Sequence, residues 1–350
     1  MASKTIQNAL DQATRPGELV KQLSADVLLC TACGHLCKLR PGQRGVCKVR
    51  FNENGALRVP FNYAAGVQND PIEKKPFFHV LPGSQALSFG MLGCDFHCSY
   101  CQNWFTSQAL RDDSSTLNFS SISASEICDL AEQRGSNSII STYNEPLITS
   151  EWAVEVFRVA KERGLRTGYV SNGHGTPEVL EYIQPWVDLF KVDLKSFSAK
   201  NYRRLGGNLD AVLETIRQVH AMGLWLEIVT LVIPGYNDSD DELSEIAEFI
   251  ASVSVDIPWH VTGFHPDYKM VDRGATPSAT LLRARQHGLD SGLKFVYSGN
   301  RAGQVGNTES TFCPKCDDLI IERCGFRVLS NRLVSGSCPK CRECIPGKWE

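Results

Sequence analysis

Gly93-Cys94-Asp95-Phe96-His97-Cys98-Ser99-Tyr100-Cys101 is the stretch on which the reading of this chain turns. It follows an apolar, strand-like run, Ala86-Leu87-Ser88-Phe89-Gly90-Met91-Leu92. Cysteines spaced Cys-x3-Cys-x2-Cys can converge in one short loop. Three thiolates hold three irons of a cubane cluster and leave the fourth iron open to a small chelating ligand, whereas a fully ligated cluster only passes electrons. Taken alone, the triplet also reads as a structural zinc knuckle or a buried patch of thiols. The rest of the chain weighs between these.

The chain has 350 residues, 14 of them cysteine, and a formal charge of -3. That length allows one large domain with appendages, or two domains. Its hydrophobic content of 42% supports a sizeable core and argues against disorder. The near-neutral charge argues against nucleic-acid binding. Met1-Ala2-Ser3-Lys4-Thr5-Ile6-Gln7-Asn8 carries no apolar signal core, and no apolar run is long enough to span a bilayer. A cytoplasmic, reducing setting is therefore expected, where closely spaced cysteines mean metal more often than disulfides.

Residues 1–29 are polar, with one short helix expected. Then come Cys30, Cys33 and Cys37 in Cys30-Thr31-Ala32-Cys33-Gly34-His35-Leu36-Cys37, followed by Cys47. Four cysteines in so short and Gly-punctuated a span point to a second metal site in a small lobe. Zinc or an iron–sulfur cluster would suit it equally, with His35 able to replace one thiolate. The competing reading is reduced, unligated thiols. Prolines make Asp70-Pro71-Ile72-Glu73-Lys74-Lys75-Pro76 an irregular lead-in rather than a helix.

From residue 86 strands and helices alternate. Strands are expected at 86–92, 138–142, 166–171, 187–193, 224–233 and 258–264. Capping boxes at Ser123-Ala124-Ser125-Glu126 and Ser239-Asp240-Asp241-Glu242 start two helices, and Ser150 or Thr149 caps another. Leu209, Val212, Leu213, Ile216 and Val219 form a helical stripe, and residues 277–290 complete the series. Six such repeats predict a parallel sheet rolled into a partial (β/α)6 TIM-like barrel, with chemistry at the C-terminal strand ends. Each end fits that rule. After the first strand comes the triplet, and after the second Tyr143-Asn144-Glu145-Pro146. The later ends carry Ser171-Asn172-Gly173-His174, Asp193-Leu194-Lys195, Pro234-Gly235-Tyr236-Asn237-Asp238 and His265-Pro266-Asp267-Tyr268-Lys269.

The tail carries Cys313-Pro314-Lys315-Cys316 and Cys338-Pro339-Lys340-Cys341 on either side of strand-like runs. Paired Cys-Pro-x-Cys knuckles predict a zinc ribbon, with an iron–sulfur site as the alternative because Cys341 and Cys344 make a further Cys-x2-Cys. Cys324 and Cys344 are extra. Cys128, on an amphipathic helix, reads as a small buried apolar residue. The expected division is 1–85 for a Cys-rich metal-binding lobe and lead-in, 86–300 for the partial barrel and 301–350 for a zinc-ribbon-like module.

The triplet, with an aromatic before its last cysteine, resembles the radical S-adenosylmethionine (radical SAM) superfamily. Across nearly the whole chain the sequence looks like the radical SAM protein of the AmmeMemoRadiSam system. This resemblance rests on the Cys30–Cys47 cluster, Asp70-Pro71-Ile72-Glu73-Lys74-Lys75-Pro76, the triplet and Thr142-Tyr143-Asn144-Glu145-Pro146. Asp193-Leu194-Lys195-Ser196-Phe197, Tyr202-Arg203-Arg204-Leu205-Gly206-Gly207, Pro258-Trp259-His260-Val261 with His265-Pro266-Asp267-Tyr268, and the tail complete it. The resemblance implies a 4Fe–4S cluster on Cys94, Cys98 and Cys101 and S-adenosylmethionine (SAM) as cosubstrate. It also implies a reductant such as flavodoxin or ferredoxin, and Memo-like and AMMECR-type partner proteins. It names no substrate. Given that ligand, Glu145 is the acceptor for the methionine ammonium, with Asn144 beside it, and Lys195 or a backbone amide the donor to its carboxylate. Ser171, Asn172 and Asp193 suit the ribose, and Tyr100 with Ile233 the adenine. His265, Tyr268 and Lys74 are candidates to act on the substrate.

The same core resembles glycyl-radical-enzyme activating enzymes at Asp193-Leu194-Lys195 and Val232-Ile233-Pro234-Gly235. It departs from them at Val170, where activators commonly carry an acid, and in cysteine clusters that precede the triplet and end the chain. Three function classes compete: a radical SAM enzyme on a small or partner-held substrate, an activator of a partner's glycine, and a non-catalytic Cys-rich metal protein. The third leaves Glu145, Asn172, Asp193 and Lys195 at successive strand ends without explanation.

Overall fold

The computed structural model describes residues 2–112 and 119–350. Its centre is an eight-stranded sheet: β1 (Gly66–Pro71), β2 (Gln85–Gly90), β3 (Ser136–Ser141), β4 (Arg166–Ser171), β5 (Leu189–Asp193), β6 (Trp225–Val232), β7 (Trp259–Gly263) and β8 (Val296–Gly299). The strands lie in sequence order, and β1 and β8 form opposite edges, so the sheet does not close on itself. Strands β2 to β8 are parallel, and β1 pairs antiparallel with β2. Each parallel step is bridged by a helix: α1 (Ala124–Gln133), α2 (Ser150–Glu162), α3 (Pro177–Ile183), α4 (Leu209–Ala221), α5 (Asp240–Val253) and α6 (Ser278–Asp290). The six expected repeats are present. Val296–Gly299, which follows the last of them, adds a seventh parallel strand.

Three readings change. The lead-in expected to be irregular holds strand β1, because Pro71 ends rather than interrupts the ladder, with Pro71 opposite Gln85. Its continuation, Ile72–Lys74, is a single 3-10 turn. The capping box at α1 forms in full, Ser123 and Glu126 exchanging bonds of 2.7 and 3.2 Å. The one at α5 forms by half. Ser239 Oγ accepts from Glu242 N, but the Glu242 carboxylate accepts instead from Phe197 N at 2.8 Å and from the Ser196 hydroxyl. It thus ties the loop after β5 to the start of α5. Thr149 precedes α2 without a side-chain cap.

Strands β2 to β8 are buried along nearly their whole length, as in a sheet covered on both faces. The main core takes Leu87 and Phe89 from β2, Ile139 from β3, Phe190 and Val192 from β5 and Ile228 from β6, with Val156, Phe157, Val212, Ile216, Ile246 and Ile250 of the helices. Cys128 on α1 is buried among them. N-terminal to the sheet, helix Ala2–Gln12 precedes two small three-stranded antiparallel sheets, which include strands Val27–Cys30 and Phe51–Glu53. The tail forms a three-stranded antiparallel sheet, Thr311–Phe312, Leu319–Cys324 and Arg327–Asn331.

Candidate active site

Strand β2 ends at Gly90, and the triplet loop begins three residues later. A Cβ on Gly90 would lie 2.7 Å from Thr142 O, so a glycine there admits the loop leaving β3. In that loop Tyr143 adopts a left-handed backbone (φ 71°), a conformation found at sites that over-determine it. Lys75 Nζ donates to its hydroxyl at 3.1 Å. The triplet loop is braced from the far side by the Tyr202–Gly207 segment. His97 N donates to Leu205 O at 2.9 Å, and Cβ atoms at Gly206 and Gly207 would collide with His97 and Phe96. The two glycines of that motif are therefore a cradle for the cysteine loop.

Cys98 is buried, and Cys94 and Cys101 are half-buried. Phe96 N donates to Cys94 Sγ at 3.4 Å, and Ser107 Oγ lies 3.1 Å from Cys101 Sγ. Burial pushes the Cys98 thiol up to about 12, with the Lys195 charge opposing it. Metal binding would displace such protons. Among the described residues, the triplet sulfurs are not one of the sets packed within 4.8 Å of one another. Thiolates that each bind a different iron stand farther apart than ligands of one ion.

Two polar networks face this loop. In the first, the fully buried Glu145 carboxylate accepts from Ser171 Oγ at 2.6 Å, Asn172 N at 2.7 Å and Leu147 N at 3.1 Å. Burial, then the Asp95 charge, push it up to about 8. Asn172 Nδ2 donates to Asp95 Oδ1 at 2.8 Å, and His174 Nδ1 to Asp95 Oδ2 at 2.9 Å. Burial raises Asp95, but the bonds from His174 and Asn172 outweigh it and hold the carboxyl below its usual range. In the second, Asp193 sits between Lys191 and Lys195, the latter at 3.3 Å. Against burial, the two lysines hold Asp193 near 2. Asp193 and the thiols Cys98 and Cys101 raise Lys195 against the effect of burial. Asn237 Nδ2 donates to Lys195 O at 2.8 Å and fixes the loop after β5 to the end of β6.

Glu145, Ser171, Asn172, Asp193 and Lys195 thus follow consecutive strands on the triplet's end of the sheet. Asn144 accepts from Met91 N at 2.9 Å, which makes it a brace between β2 and β3 rather than a free donor. Tyr100 is buried edge-on to Tyr236, with ring centroids 5.9 Å apart, and Ile233 is buried. His265 is exposed and accepts from Gln102 Nε2 at 3.1 Å, while Tyr268 stacks on Trp104 and donates to Asp112 at 2.7 Å. Both lie beside the triplet loop, since Lys269 N donates to Ser99 O at 2.9 Å. Lys74 is not brought there. It follows β1, whose last residue pairs with the first of β2, and its amine binds Asp70 at 2.8 Å at the opposite end of the sheet.

Sequence reasoning missed Asp95, His174 and Lys191 as members of these networks. Lys191 had a signal: a charge inside an apolar strand, two residues before Asp193 and hence on the same face. Asp95 had none beyond its place next to Cys94.

In the tail, Cys313, Cys316, Cys338 and Cys341 offer sulfurs all within 4.8 Å of one another, and Cys324 and Cys344 are exposed outside this set. In the N-terminal lobe, Cys33 lies within the same distance of Asp95 and His174. His35 Nε2 donates to Asp95 O at 3.2 Å and stacks edge-on to His174.

Residues 90–250 match the Radical SAM superfamily, a span that holds the triplet and both polar networks. The chain carries a radical SAM domain. It is 34% identical over 341 residues to the uncharacterized protein MJ0808 of Methanocaldococcus jannaschii, across 95% of this chain and 98% of that one. It is also 24% identical to the pyruvate formate-lyase-activating enzyme of Streptococcus mutans, across 52% of this chain and 73% of that one. Among solved structures, a domain of a pyruvate-formate lyase-activating enzyme from Bacteroides vulgatus overlays on 47% of this chain and all of that one, at 19% identity and a TM-score of 0.42. The radical SAM family implies a 4Fe–4S cluster and SAM, and an enzyme. Among the described residues, no helix is long and apolar enough to cross a membrane.

Proposed function

We propose that Cys94, Cys98 and Cys101 hold a 4Fe–4S cluster whose open iron takes the methionine end of SAM. The residues fit that group: three thiols on one braced loop, with the Lys195 charge upon them. The observation that carries the reading is the meeting of this loop with the Glu145–Ser171–Asn172 and Lys191–Asp193–Lys195 networks at consecutive strand ends. When bound, the cluster supplies the electron that cleaves SAM to methionine and a 5′-deoxyadenosyl radical, which takes a hydrogen atom from the substrate. Glu145 accepts the amino group of SAM, and Lys195 faces its carboxylate. Ser171, Asn172 and Asp193 serve the ribose, and Tyr100 with Ile233 the adenine. His265 and Tyr268, on the loop after β7, face the substrate.

The motifs shared with the AmmeMemoRadiSam system support a cytoplasmic enzyme that works with Memo-like and AMMECR-type proteins and a flavodoxin- or ferredoxin-type reductant. The tail tetrad holds one zinc. A second reading, activation of a partner's glycine, is favoured by the similarity to pyruvate formate-lyase-activating enzymes. The test is anaerobic reconstitution with reductant and SAM, followed by assay for 5′-deoxyadenosine. Replacing all three triplet cysteines with Ala should abolish it, and substantial product from that variant would sink the assignment. A glycyl radical on an added partner would decide for the second reading.

A further inference from the structure

Contacts link the four N-terminal cysteines to one another. Cys30 ends its strand and donates its N–H to Cys37 O at 3.0 Å. Cys33 and Cys47 pack together with Val49 and Ile148. A Cβ at Gly45 would lie 3.5 Å from Cys37 Sγ and 3.7 Å from Cys47 Sγ. Two donors are aimed at the sulfurs: Arg50 Nε at Cys30 Sγ (3.2 Å) and Val46 N at Cys37 Sγ (3.5 Å). Hydrogen bonds to sulfur from a buried cation and a backbone amide suit ligating thiolates. The tail shows what a single-ion site looks like in this chain, with four sulfurs within 4.8 Å. Among the described residues, the N-terminal four form no such set. A zinc with bonds of about 2.3 Å needs that compactness, whereas a cluster does not.

The two neighbours of Cys94, Gly93 and Asp95, meet this lobe. A Cβ on Gly93 would lie 2.9 Å from Cys47 O. The Asp95 carboxylate lies within 4.8 Å of Cys33 Sγ. Arg111 spans the two loops, donating to Phe96 O at 2.9 Å and Val46 O at 2.5 Å. His174 Nε2, buried and without a hydrogen-bond partner, faces the Cys30–Cys37 loop, where a Cβ on Gly34 would lie 2.7 Å from it. On the outer side, Leu36 and Val46 are exposed next to Cys37 and Cys47. On this stretch Lys38, Arg40 and Lys48 are exposed, whereas Arg44 pairs with Asp11 and Arg50 with Glu151, and no Asp or Glu lies between Val27 and Asn52.

We infer that Cys30, Cys33, Cys37 and Cys47 hold an iron–sulfur cluster through which electrons from an acidic one-electron carrier protein reach the triplet site. The inference rests on the reading of the triplet as a cluster site. Each electron reduces the N-terminal cluster by one and leaves it again for the triplet, and no bond or proton changes at the thiolates.

The test begins with the Cys94→Ala/Cys98→Ala/Cys101→Ala variant of the full chain, reconstituted anaerobically. It should keep about two to four irons with matching sulfide, and show an electron-paramagnetic signal when reduced. Should that variant not fold, Cys101→Ser alone gives the same readout. The reduced wild type should show two signals broadened by their mutual coupling, and the variant one sharp signal. Loss of all iron from the variant, or a zinc or lone metal ion in place of the cluster, would overturn the inference. Failure of the triplet reading would look different: wild type and variant would hold equal iron, and neither would cleave SAM. Lys38→Glu/Lys48→Glu should slow reduction by an acidic flavodoxin at least tenfold and leave dithionite reduction unchanged. Equal rates with flavodoxin would overturn the entry route.

Discussion

Glu145 is the residue whose environment says most about the site. Its carboxylate takes three internal hydrogen bonds, one of which caps the 3-10 turn Pro146–Thr149, so it has a structural task as well as a ligand to meet. Loss of one charge-assisted bond to the SAM amine is worth roughly 1.5–3 kcal/mol. Glu145→Gln should therefore weaken SAM binding about ten- to a hundred-fold while leaving iron content normal. Unchanged affinity, with only a lower melting temperature, would reduce Glu145 to a cap. Its pH behaviour gives a second check. A carboxyl raised on folding from 4.5 to about 8 favours the ligand-free fold most below pH 4.5, and that contribution is lost as the pH climbs to 8. The bond from the SAM amine is charge-assisted only when the carboxyl is ionised. SAM affinity should thus rise between about pH 6 and 8, and calorimetry in two buffers should detect the released proton. Glu145→Gln should flatten both.

At the scale of elements, the N-terminal lobe is clamped to α2 by one ion pair. Arg50 meets Glu151 at 2.6 and 2.7 Å, the side chains being 1% and 0% exposed. Glu151 also accepts from Glu18 N and Leu19 N, and Arg50 donates to Ile148 O. Removing one partner from such a buried pair typically costs 3–5 kcal/mol, because it strands the other charge. Glu151→Gln should lower unfolding stability by about that amount, and Arg50→Met/Glu151→Leu should recover part of it. Chemical denaturation of the three proteins decides the matter. The tail is a second such element. Four clustered sulfurs would leave a bound metal no open position, so a metal held there would be structural. Cys338→Ser should remove about one zinc per chain and leave the triplet's iron in place, as metal analysis of purified protein would show. Loss of iron instead would assign the tail to a cluster.

Across the whole molecule, the tail is fastened at the end of the sheet away from the triplet. Glu227, near the start of β6, accepts from Phe78 N, His79 N, Trp225 Nε1 and His260 Nε2 at 2.6 to 3.0 Å. His79 in turn donates from Nδ1 to Pro346 O and accepts at Nε2 from Tyr297, both at 2.6 Å. Arg323 of the tail donates to Phe78 O at 2.6 Å. Burial, against the Glu227 charge, lowers His79 from 6.5 to about 4. A histidine depressed on folding gives stability that is complete above pH 6.5 and lost as the pH falls to about 4, since only the unfolded chain takes the proton. The loss should reach roughly 3 kcal/mol at 1.36 kcal/mol per unit. Urea midpoints should fall across this window, and His79→Gln should remove that part of the fall. An unchanged slope in the variant would show that His79 is not the group responsible.

The alternation of apolar strands and amphipathic helices, the cysteine spacings and the polar strand ends were all legible in the chain, because they depend on local periodicity and on residues a few positions apart. That is why the parallel sheet, the cysteine loop and the positions of Glu145, Ser171, Asn172, Asp193 and Lys195 emerged from sequence alone. The role of Gly206-Gly207 stayed hidden, since glycines that make room for the rings of His97 and Phe96, far off in sequence, look like any turn glycines. The strand status of Gly66–Pro71 was hidden too: Pro71 breaks the local pattern, but an edge strand tolerates a proline at its end. So was the brace made by Asn144, and so was the remoteness of Lys74, which depends on β1 running antiparallel to its neighbour. Above all, the docking of Cys33 and Cys47 against Asp95 and Gly93, the neighbours of Cys94, came only from the tertiary structure. The Arg50–Glu151 pair and the Arg111 bridge join loops far apart in sequence. No spacing rule records a contact that exists only once three separate elements have packed.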